Sequence, residues 1–364
     1  MFDDTLLKNE EKAVFALRSL YRRYGYLPYR MSKFEEYELY IRNKDFLVSD
    51  RIITFNDTTG RLMALKPDVT LSIIKNGEDT PGFKQKVYYN ENVYRISDRT
   101  HRFRELMQTG CECIGDIGIY DIYEVISLAA ESLAMISENF VLEVSNLGLI
   151  EEMLTSACND AVFAEKAIAF IAEKNSHDLS RLCDEYGIKE EQEKRLQLLI
   201  TSYGERNMVI SALEGECGDK AEELKMLSKF LDGSLYSDKI RFDFSVVNNM
   251  SYYNGFVFRG FLDGVCEGVL AGGQYDRLMA KMNRKSGAIG FAIYLDELEQ
   301  LEQAESGTDV DLVVLYDDSV SPADVAKAVK EQTALGKSVS AQKCVSDRLR
   351  SRELLDLREE GAKC

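Results

Sequence analysis

Apolar residues recur at two different spacings along the chain, and the change between them shows how it is organised. Val14, Leu17 and Tyr21 are three and four residues apart, which predicts a helix over residues 9–24. Apolar and polar residues alternate in "RIITFNDTTGRLMALKP", which predicts two strands joined by a tight turn, and again in "KQKVYYNENVYRIS" and "RELMQTGCECIGD". Helical spacing dominates residues 147–235, after which strands resume at "KIRFDFSVV".

The order of these segments predicts the domains. A mainly antiparallel sheet is assembled from residues 1–146 and 236–303, on both sides of a helical insertion at residues 147–235. A linker around residues 304–309 precedes a β-α-β-α pattern, which predicts a small α/β domain over residues 310–364. We therefore expect an α+β protein rather than a doubly wound parallel sheet.

Composition and charge narrow the classes of function. The 364 residues are 45% apolar and 29% charged, as in globular proteins of two or three structural units. Apolar runs stay shorter than a membrane span and the N-terminus lacks a hydrophobic signal core, so we expect a cytoplasmic protein that contacts no membrane. The net charge of −17 disfavours nucleic acid as the main partner, although a local basic groove stays compatible with it.

Cysteine and histidine usage disfavours a metal centre. Eight cysteines are scattered without a C-x-x-C pair, and the chain has two histidines. Cys111 and Cys113 have strand spacing and are expected to be small core residues on one face. We predict neither a metal site nor a cofactor.

Two polar residues interrupt the apolar strand "LMQTGCECIG". Gln108, Gly110 and Glu112 share one face because side chains alternate along a strand. A glycine inside a strand often marks close approach by a ligand, so a small molecule with an amine and a ring nitrogen is predicted to lie across Gly110, held by Gln108 and Glu112. The alternative is that Glu112 reaches solvent at a sheet edge.

Three further fragments are ambiguous when each is taken alone. "LKPDVT" offers Asp68 and Thr70 after a strand, where capping a helix is their ordinary role. In "MSYYNGFVFRGF", a strand would point Tyr252 and Tyr253 to opposite faces and would place Tyr253 on the face of Gly255; aromatic residues of this kind are usually core. "AGGQYDRL" is either a glycine-rich turn near a ligand or a plain strand-to-helix junction.

An arginine-rich loop precedes the strand "LMQTGCECIG". It carries Arg95, Arg99, Arg102 and Arg104 beside His101. Guanidinium groups suit phosphate or carboxylate recognition, and a solvated basic loop is the competing interpretation for each arginine. What identifies a family is that all these fragments occur together in this order.

From about residue 5 to about residue 303 the chain resembles the catalytic domain of class II aminoacyl-tRNA synthetases. The likeness is to histidyl-tRNA synthetase and, most of all, to its paralogues, the regulatory subunits of ATP phosphoribosyltransferase. The resemblance implies an antiparallel sheet flanked by helices and a tail similar to a shortened anticodon-binding domain. It also implies a symmetric dimer formed through motif 1, whose proline is Ser32 here.

The same resemblance implies roles for seven residues. "ITFNDTTGRLMALKPDVT" is similar to the segment that holds the amino group of histidine, and "VYRISDRTHRFRELMQTGCE" is similar to motif 2. The arginine that contacts the activated carboxyl and the α-phosphate is matched by Arg95. The histidine-binding positions are matched by Asp68, Thr70, Gln108, Glu112, Tyr253 and Tyr275.

Three positions depart from the synthetase pattern. Asn248, Gln274 and Glu297 stand where the synthetases have arginines. A hydrogen bond to a charged group is worth roughly 1.5 to 3 kcal/mol, so three losses remove roughly 4 to 9 kcal/mol of triphosphate and transition-state binding. Glu297 also sets a negative charge near a polyphosphate. We therefore expect no catalytic residues and no synthetase activity.

The leading hypothesis is a non-catalytic regulatory subunit. Its partner would be a short-form catalytic subunit of ATP phosphoribosyltransferase, which joins ATP to phosphoribosyl pyrophosphate in the first step of histidine biosynthesis. The chain would be required for full activity and would transmit feedback inhibition by histidine, bound in the synthetase-like pocket or at the subunit interface. The rival functions are an active histidyl-tRNA synthetase and a free-standing histidine-binding module.

Overall fold

Two compact units make up the chain, Met1–Leu301 and Glu302–Cys364. The computed structural model describes residues 9–47, 52–77, 79–96, 102–213, 215, 219–247, 252–301, 308–345 and 348–358. None of the helices within these ranges combines the length and the apolarity that crossing a membrane requires.

A nine-stranded sheet forms the centre of the first unit. From one edge to the other, its strands are β1 (Leu27–Pro28), β5 (Gln85–Ile96), β6 (Phe103–Gly115), β12 (Gly287–Tyr294), β11 (Leu270–Gln274), β10 (Phe256–Leu262), β7 (Phe140–Asn146), β9 (Ile240–Asp243) and β8 (Tyr203–Glu205). Neighbouring strands are antiparallel except for β1–β5 and β7–β9, which are parallel. The predicted α+β fold with a mainly antiparallel sheet is confirmed.

Helices flank this sheet and also form a segment of their own. The α-helices of the first unit are α1 (Asn9–Arg23), α2 (Tyr37–Arg42), α3 (Thr70–Asn76), α4 (Ile119–Ile136), α5 (Leu147–Ala157), α6 (Ala161–Ala172), α7 (Ser176–Glu185), α8 (Glu190–Thr201), α9 (Arg206–Ala212), α10 (Asp219–Leu231) and α11 (Asp276–Lys281). Helix α1 buries Val14, Leu17 and Tyr21 as their spacing predicts. The compact units do not separate α5–α10 from the sheet, so the insertion boundaries stay a prediction.

The alternation along β6 divides its side chains between two cores. Cys111 and Cys113 belong to the larger core, together with the buried side chains of α1 and α4. Ile114 belongs to the smaller core, together with Tyr89 of β5 and Tyr275. The residues that share a face with Ile114 therefore point away from α1 and α4, towards α3 and α11.

Residues 34–65 form a second sheet, which has three strands. Strands β2 (Phe34–Glu36), β4 (Leu62–Leu65) and β3 (Thr54–Asn56) pair antiparallel in that order. Asp57 Oδ1 accepts hydrogen bonds from the backbone N–H groups of Thr59 at 2.8 Å and Arg61 at 2.9 Å. The side chain thereby stabilises the turn "NDTTG", and the predicted strand pair is confirmed.

The second unit departs from prediction at its last element. Its elements are β13 (Val310–Leu315), α12 (Pro322–Ala334), β14 (Val339–Gln342) and β15 (Ser351–Asp356). The sequence predicts a second helix where β15 lies, and that prediction is wrong. Strand β14 covers one edge of β13, and parallel pairing of β15 satisfies the backbone groups of the other edge. Pairing between distant segments overrides local helix propensity here.

Candidate functional site

A cavity of about 550 Å³ opens on the face of the large sheet that carries Glu112. It is bounded by the central strands, by the start of α3 and by the loop before β10. All seven residues that the sequence singles out line this cavity: Asp68, Thr70, Arg95, Gln108, Glu112, Tyr253 and Tyr275. The fold brings them together, while their roles in binding a ligand stay a prediction.

Glu112 is the buried carboxyl of the cavity. Thr70 Oγ1 donates a hydrogen bond to Glu112 Oε1 at 2.8 Å, and Tyr275 Oη donates one to Glu112 Oε2 at 2.6 Å. The pKa of Glu112 is raised to about 8, mainly by burial; the hydrogen bonds from Tyr275 and Thr70 oppose this rise, and the nearby charge of Asp68 adds to it. The interpretation in which Glu112 reaches solvent at a sheet edge is wrong, because β6 is an interior strand.

Glycine on the neighbouring strand makes room for this carboxyl. Gly290 of β12 is the register partner of Glu112, and a Cβ at Gly290 would lie 1.7 Å from Glu112 Oε2. Side chains larger than hydrogen at this position would therefore displace Glu112. The segment "GAIGFAIY" carried this signal, which sequence reasoning did not use.

Asp68 and Thr70 stand at the start of α3 and serve two purposes. Asp68 Oδ1 accepts a hydrogen bond from the backbone N–H of Leu71 at 2.9 Å, which is the capping role expected for this position. Its side chain also lines the cavity, where burial raises its pKa and Arg95 opposes that rise. Capping and cavity lining are compatible because the first turn of α3 points at the cavity.

Tyr252 and Tyr253 do not point to opposite faces, and that prediction is wrong. Strand β10 begins at Phe256, so both tyrosines lie in the preceding loop, where strand alternation does not apply. Both line the cavity with their ring centroids 4.6 Å apart, and the Tyr252 ring lies 5.8 Å from that of Tyr275. The three rings form an aromatic wall of the cavity.

Two glycines expected to leave space for a ligand make room for protein side chains instead. A Cβ at Gly110 would lie 2.6 Å from Tyr89 Oη, and a Cβ at Gly255 would lie 2.1 Å from Gln274 Oε1. The expectation that a ligand lies directly on Gly110 is therefore wrong, because Tyr89 covers that position. Space for a ligand begins above the Tyr89 ring.

Cationic side chains line the cavity beside these carboxyl groups. Arg95 Nε donates a hydrogen bond to the carbonyl oxygen of Pro67 at 3.0 Å, which holds this side chain beside Asp68. Arg259 of β10 also lines the cavity, and sequence reasoning missed it. Its signal was a charged residue inside the otherwise apolar strand "FVFRGF".

Of the other arginines of the loop, the two that are described, Arg102 and Arg104, do not line the cavity. Arg104 lies on β6 with about half of its side chain exposed, 3.9 Å from Asp296, and Arg102 is exposed. These two arginines therefore belong to a solvated basic segment, which was the competing interpretation of the loop. Arg99 and His101 lie outside the described residues.

Gln274 and Glu297 do not line the cavity, and Asn248 lies outside the described residues. Gln274 Oε1 accepts a hydrogen bond from the backbone N–H of Phe256 at 2.8 Å, so its amide stabilises the start of β10. Glu297 lies in a 3-10 turn that follows β12 and is half-buried. In the described ranges, no three histidine, cysteine or acidic side chains converge as metal ligands.

The chain matches known proteins over most of its length. The model of the histidyl-tRNA synthetase family matches residues 3–298. A relative from Moorella thermoacetica, named ATP phosphoribosyltransferase regulatory subunit, is 30% identical over 295 residues, which are 78% of this chain and 75% of the relative.

Solved structures share the fold at lower identity. A Bacillus halodurans structure, described as an ATP phosphoribosyltransferase regulatory subunit/histidyl-tRNA synthetase, superposes with a TM-score of 0.74 at 21% identity, covering 98% of this chain and 97% of the other. A chain of the ATP phosphoribosyl transferase (HisG:HisZ) complex from Thermotoga maritima superposes with a TM-score of 0.62 at 21% identity, covering 79% and 97%.

Proposed function

Since this chain belongs to the histidyl-tRNA synthetase family and, within it, to the ATP phosphoribosyltransferase regulatory subunits, we propose that it is the non-catalytic partner of a short-form catalytic subunit in histidine biosynthesis. The observation that carries the proposal is an asymmetry of the site. The residues matched to histidine binding line one cavity, while the three positions matched to synthetase arginines hold Asn248, Gln274 and Glu297.

Histidine is the ligand that we propose for this cavity. Its ammonium group and its imidazole ring are both hydrogen-bond donors, and Asp68 and Glu112 offer acceptor oxygens among the residues that line the cavity. The aromatic wall formed by Tyr252, Tyr253 and Tyr275 offers ring faces for the imidazole. The ammonium group of histidine also compensates the charge of the buried carboxyl groups, which are otherwise costly to ionise.

Feedback inhibition requires more than binding. Histidine shifts the complex towards an inhibited state only if it binds that state more tightly than the active one. We propose that this chain associates as a symmetric dimer inside the complex, as the resemblance implies, and contacts the catalytic subunit directly. The cavity then lies in the regulatory chain, apart from the phosphoribosyl transfer itself.

Reconstitution tests this role directly. We expect a short-form catalytic subunit to be weakly active alone and to gain activity when the purified full chain is added. Histidine should lower the activity of the mixture but not the residual activity of the catalytic subunit alone, because the effector site lies in this chain. Transfer rates and co-elution on size exclusion measure both effects. A catalytic subunit that neither co-elutes nor responds would overturn the proposal.

Histidine-dependent pyrophosphate exchange should be negligible. Three missing charged hydrogen bonds predict a rate roughly a thousandfold to a millionfold below that of an active histidyl-tRNA synthetase assayed alongside. Arg259 alone does not replace three arginines. An exchange rate within tenfold of that of the active enzyme would favour the synthetase function instead.

A further inference from the structure

Arg259 lies at the end of a row of small residues that crosses the sheet. In the strand register it pairs with Ala271 of β11, which pairs with Ala292 of β12, which pairs with Gly110 of β6. Both alanines line the cavity. Because register partners share a face, the floor between Arg259 and β6 carries no bulky side chain of this row.

The Arg259 side chain lies against a glycine. A Cβ at Gly268 would lie 2.4 Å from Arg259 Nε and 3.1 Å from its Cγ, and Gly268 itself lines the cavity. The absence of a side chain at Gly268 therefore allows the Arg259 stem to lie along the cavity wall. Glu112 lies over Gly290 in the same manner on the other side of the cavity.

The guanidinium group of Arg259 makes weak contacts with the described part of the protein. Among the described residues, the carboxylate within 4 Å of it belongs to Glu267, at 3.7 Å, which is longer than a hydrogen bond. The Glu267 side chain is 71% exposed, so solvent screens this pair. Glu143 is its register partner on β7, and the Phe261 ring centroid lies 5.2 Å from the guanidinium carbon. Its donors stay available to a ligand.

Arg259 and Arg95 act on the same part of the cavity. Both guanidinium groups oppose the rise in the pKa of Tyr294 that burial causes, so both lie near this phenol. Tyr294 lines the cavity at the end of β12, two residues beyond Ala292. Two guanidinium groups and the carboxyl group of Asp68 thus lie near Tyr294. Glu112 lies with Thr70 and Tyr275 further along the sheet, at the register position of Gly290 rather than that of Tyr294.

We propose that Arg259, together with Arg95, binds the carboxylate of the amino-acid ligand and thereby restricts the cavity to zwitterions. The inference rests on the proposed function, since it takes the ligand to be a histidine-like amino acid. Arg259 supplies a positive charge from β10, whereas Asn248, which matches a synthetase arginine in the sequence, carries none. A guanidinium fork matches a carboxylate in charge and in shape.

Calorimetric titration of the full chain with L-histidine and with L-histidinol tests this proposal. Histidinol keeps the ammonium group and the imidazole but has a hydroxymethyl group instead of the carboxylate. We expect Arg259→Met to weaken histidine binding about 10- to 150-fold, as for a lost charged hydrogen bond, and to leave histidinol binding unchanged within about twofold. Glu267→Gln is the matched control, because it removes the exposed partner of Arg259 and should not weaken histidine binding.

A second variant keeps the guanidinium group and moves it. Gly268→Ala places a Cβ against Arg259 Nε, so it should weaken histidine binding but not histidinol binding; circular dichroism and thermal melting verify that each variant folds. If Arg259→Met affects both ligands equally or neither, the inference is overturned and the proposed effector site stands. If the wild-type chain binds no histidine, the proposed effector site and the proposed role of Arg259 both fail.

Discussion

Glu112→Gln should weaken histidine binding at least about 100-fold, which is the largest functional effect we expect from a single substitution. The substitution retains the size of the side chain and one of the two oxygens that accept hydrogen bonds from Thr70 and Tyr275, but it removes the charge that pairs with the ligand. Truncating one partner of a buried charge pair commonly costs 2 to 5 kcal/mol, because the other charge stays buried and unpaired. Calorimetry at pH 7 measures the change.

Glu105→Gln provides the matched control. Glu105 lies on the same strand as Glu112, is exposed, and hydrogen-bonds to Asn92 and Tyr94 outside the cavity. It should leave histidine affinity unchanged. An unchanged affinity in Glu112→Gln as well would exclude this cavity as the histidine site and would favour the interface with the catalytic subunit.

Because the pKa of Glu112 is raised, the effect of the same substitution on stability should depend on pH. In the ligand-free fold this carboxyl holds its proton up to about pH 8, whereas in the unfolded chain it loses it near the ordinary value of 4.5. The folded state therefore binds more protons between these pH values, and stability falls as pH rises from about 5 to 8. Because a tenfold shift in a dissociation constant is worth about 1.4 kcal/mol, this group can weaken the fold by up to about 5 kcal/mol.

Urea unfolding of the wild type and of Glu112→Gln at several pH values measures this pH dependence of the free energy of unfolding. We expect the free energy of unfolding of the variant to exceed that of the wild type by a margin that grows from pH 5 to pH 8. Saturating histidine should reduce the loss of wild-type stability between pH 5 and pH 8, because the ammonium group of bound histidine favours the ionised carboxylate. A margin independent of pH would show that Glu112 is already ionised at pH 5.

Glu91→Gln should lower the free energy of unfolding by about 3 to 5 kcal/mol, the largest loss of stability that we expect from a substitution. Lys66 is fully buried, and its Nζ donates a hydrogen bond to Glu91 Oε2 at 2.5 Å. Removing the carboxylate leaves a buried ammonium group without its counter-charge. Lys66 also ties the two sheets together, since its carbonyl oxygen accepts a hydrogen bond from the Tyr94 N–H at 2.9 Å.

Two further variants separate charge from packing. Lys66→Met removes the buried charge and keeps the chain length, so it should cost less than Glu91→Gln, and the double variant should resemble Lys66→Met rather than the sum. Glu190→Gln breaks an exposed pair with Lys194 and should have no measurable effect. A small loss in Glu91→Gln would mean that water reaches Lys66 once its partner is gone.

The family, the fold class and seven of the residues that line the cavity could be predicted from the sequence. Alternation along β6 separates Cys111 and Cys113 from Gln108 and Glu112, because covalent geometry alone sends neighbouring side chains to opposite faces. The order of the motifs indicated the family, which the comparisons confirm. The binding roles stay predictions.

Only the tertiary structure decided what occupies each gap beside these residues. Tyr89 covers Gly110, Gln274 covers Gly255 and Arg259 lies over Gly268. Such contacts depend on which strands pair and in what register, and segments far apart in sequence make these pairings. The same reason explains β15, which the backbone of β13 holds as a strand. Local pattern determines which way a side chain points, and strand pairing determines what it meets there.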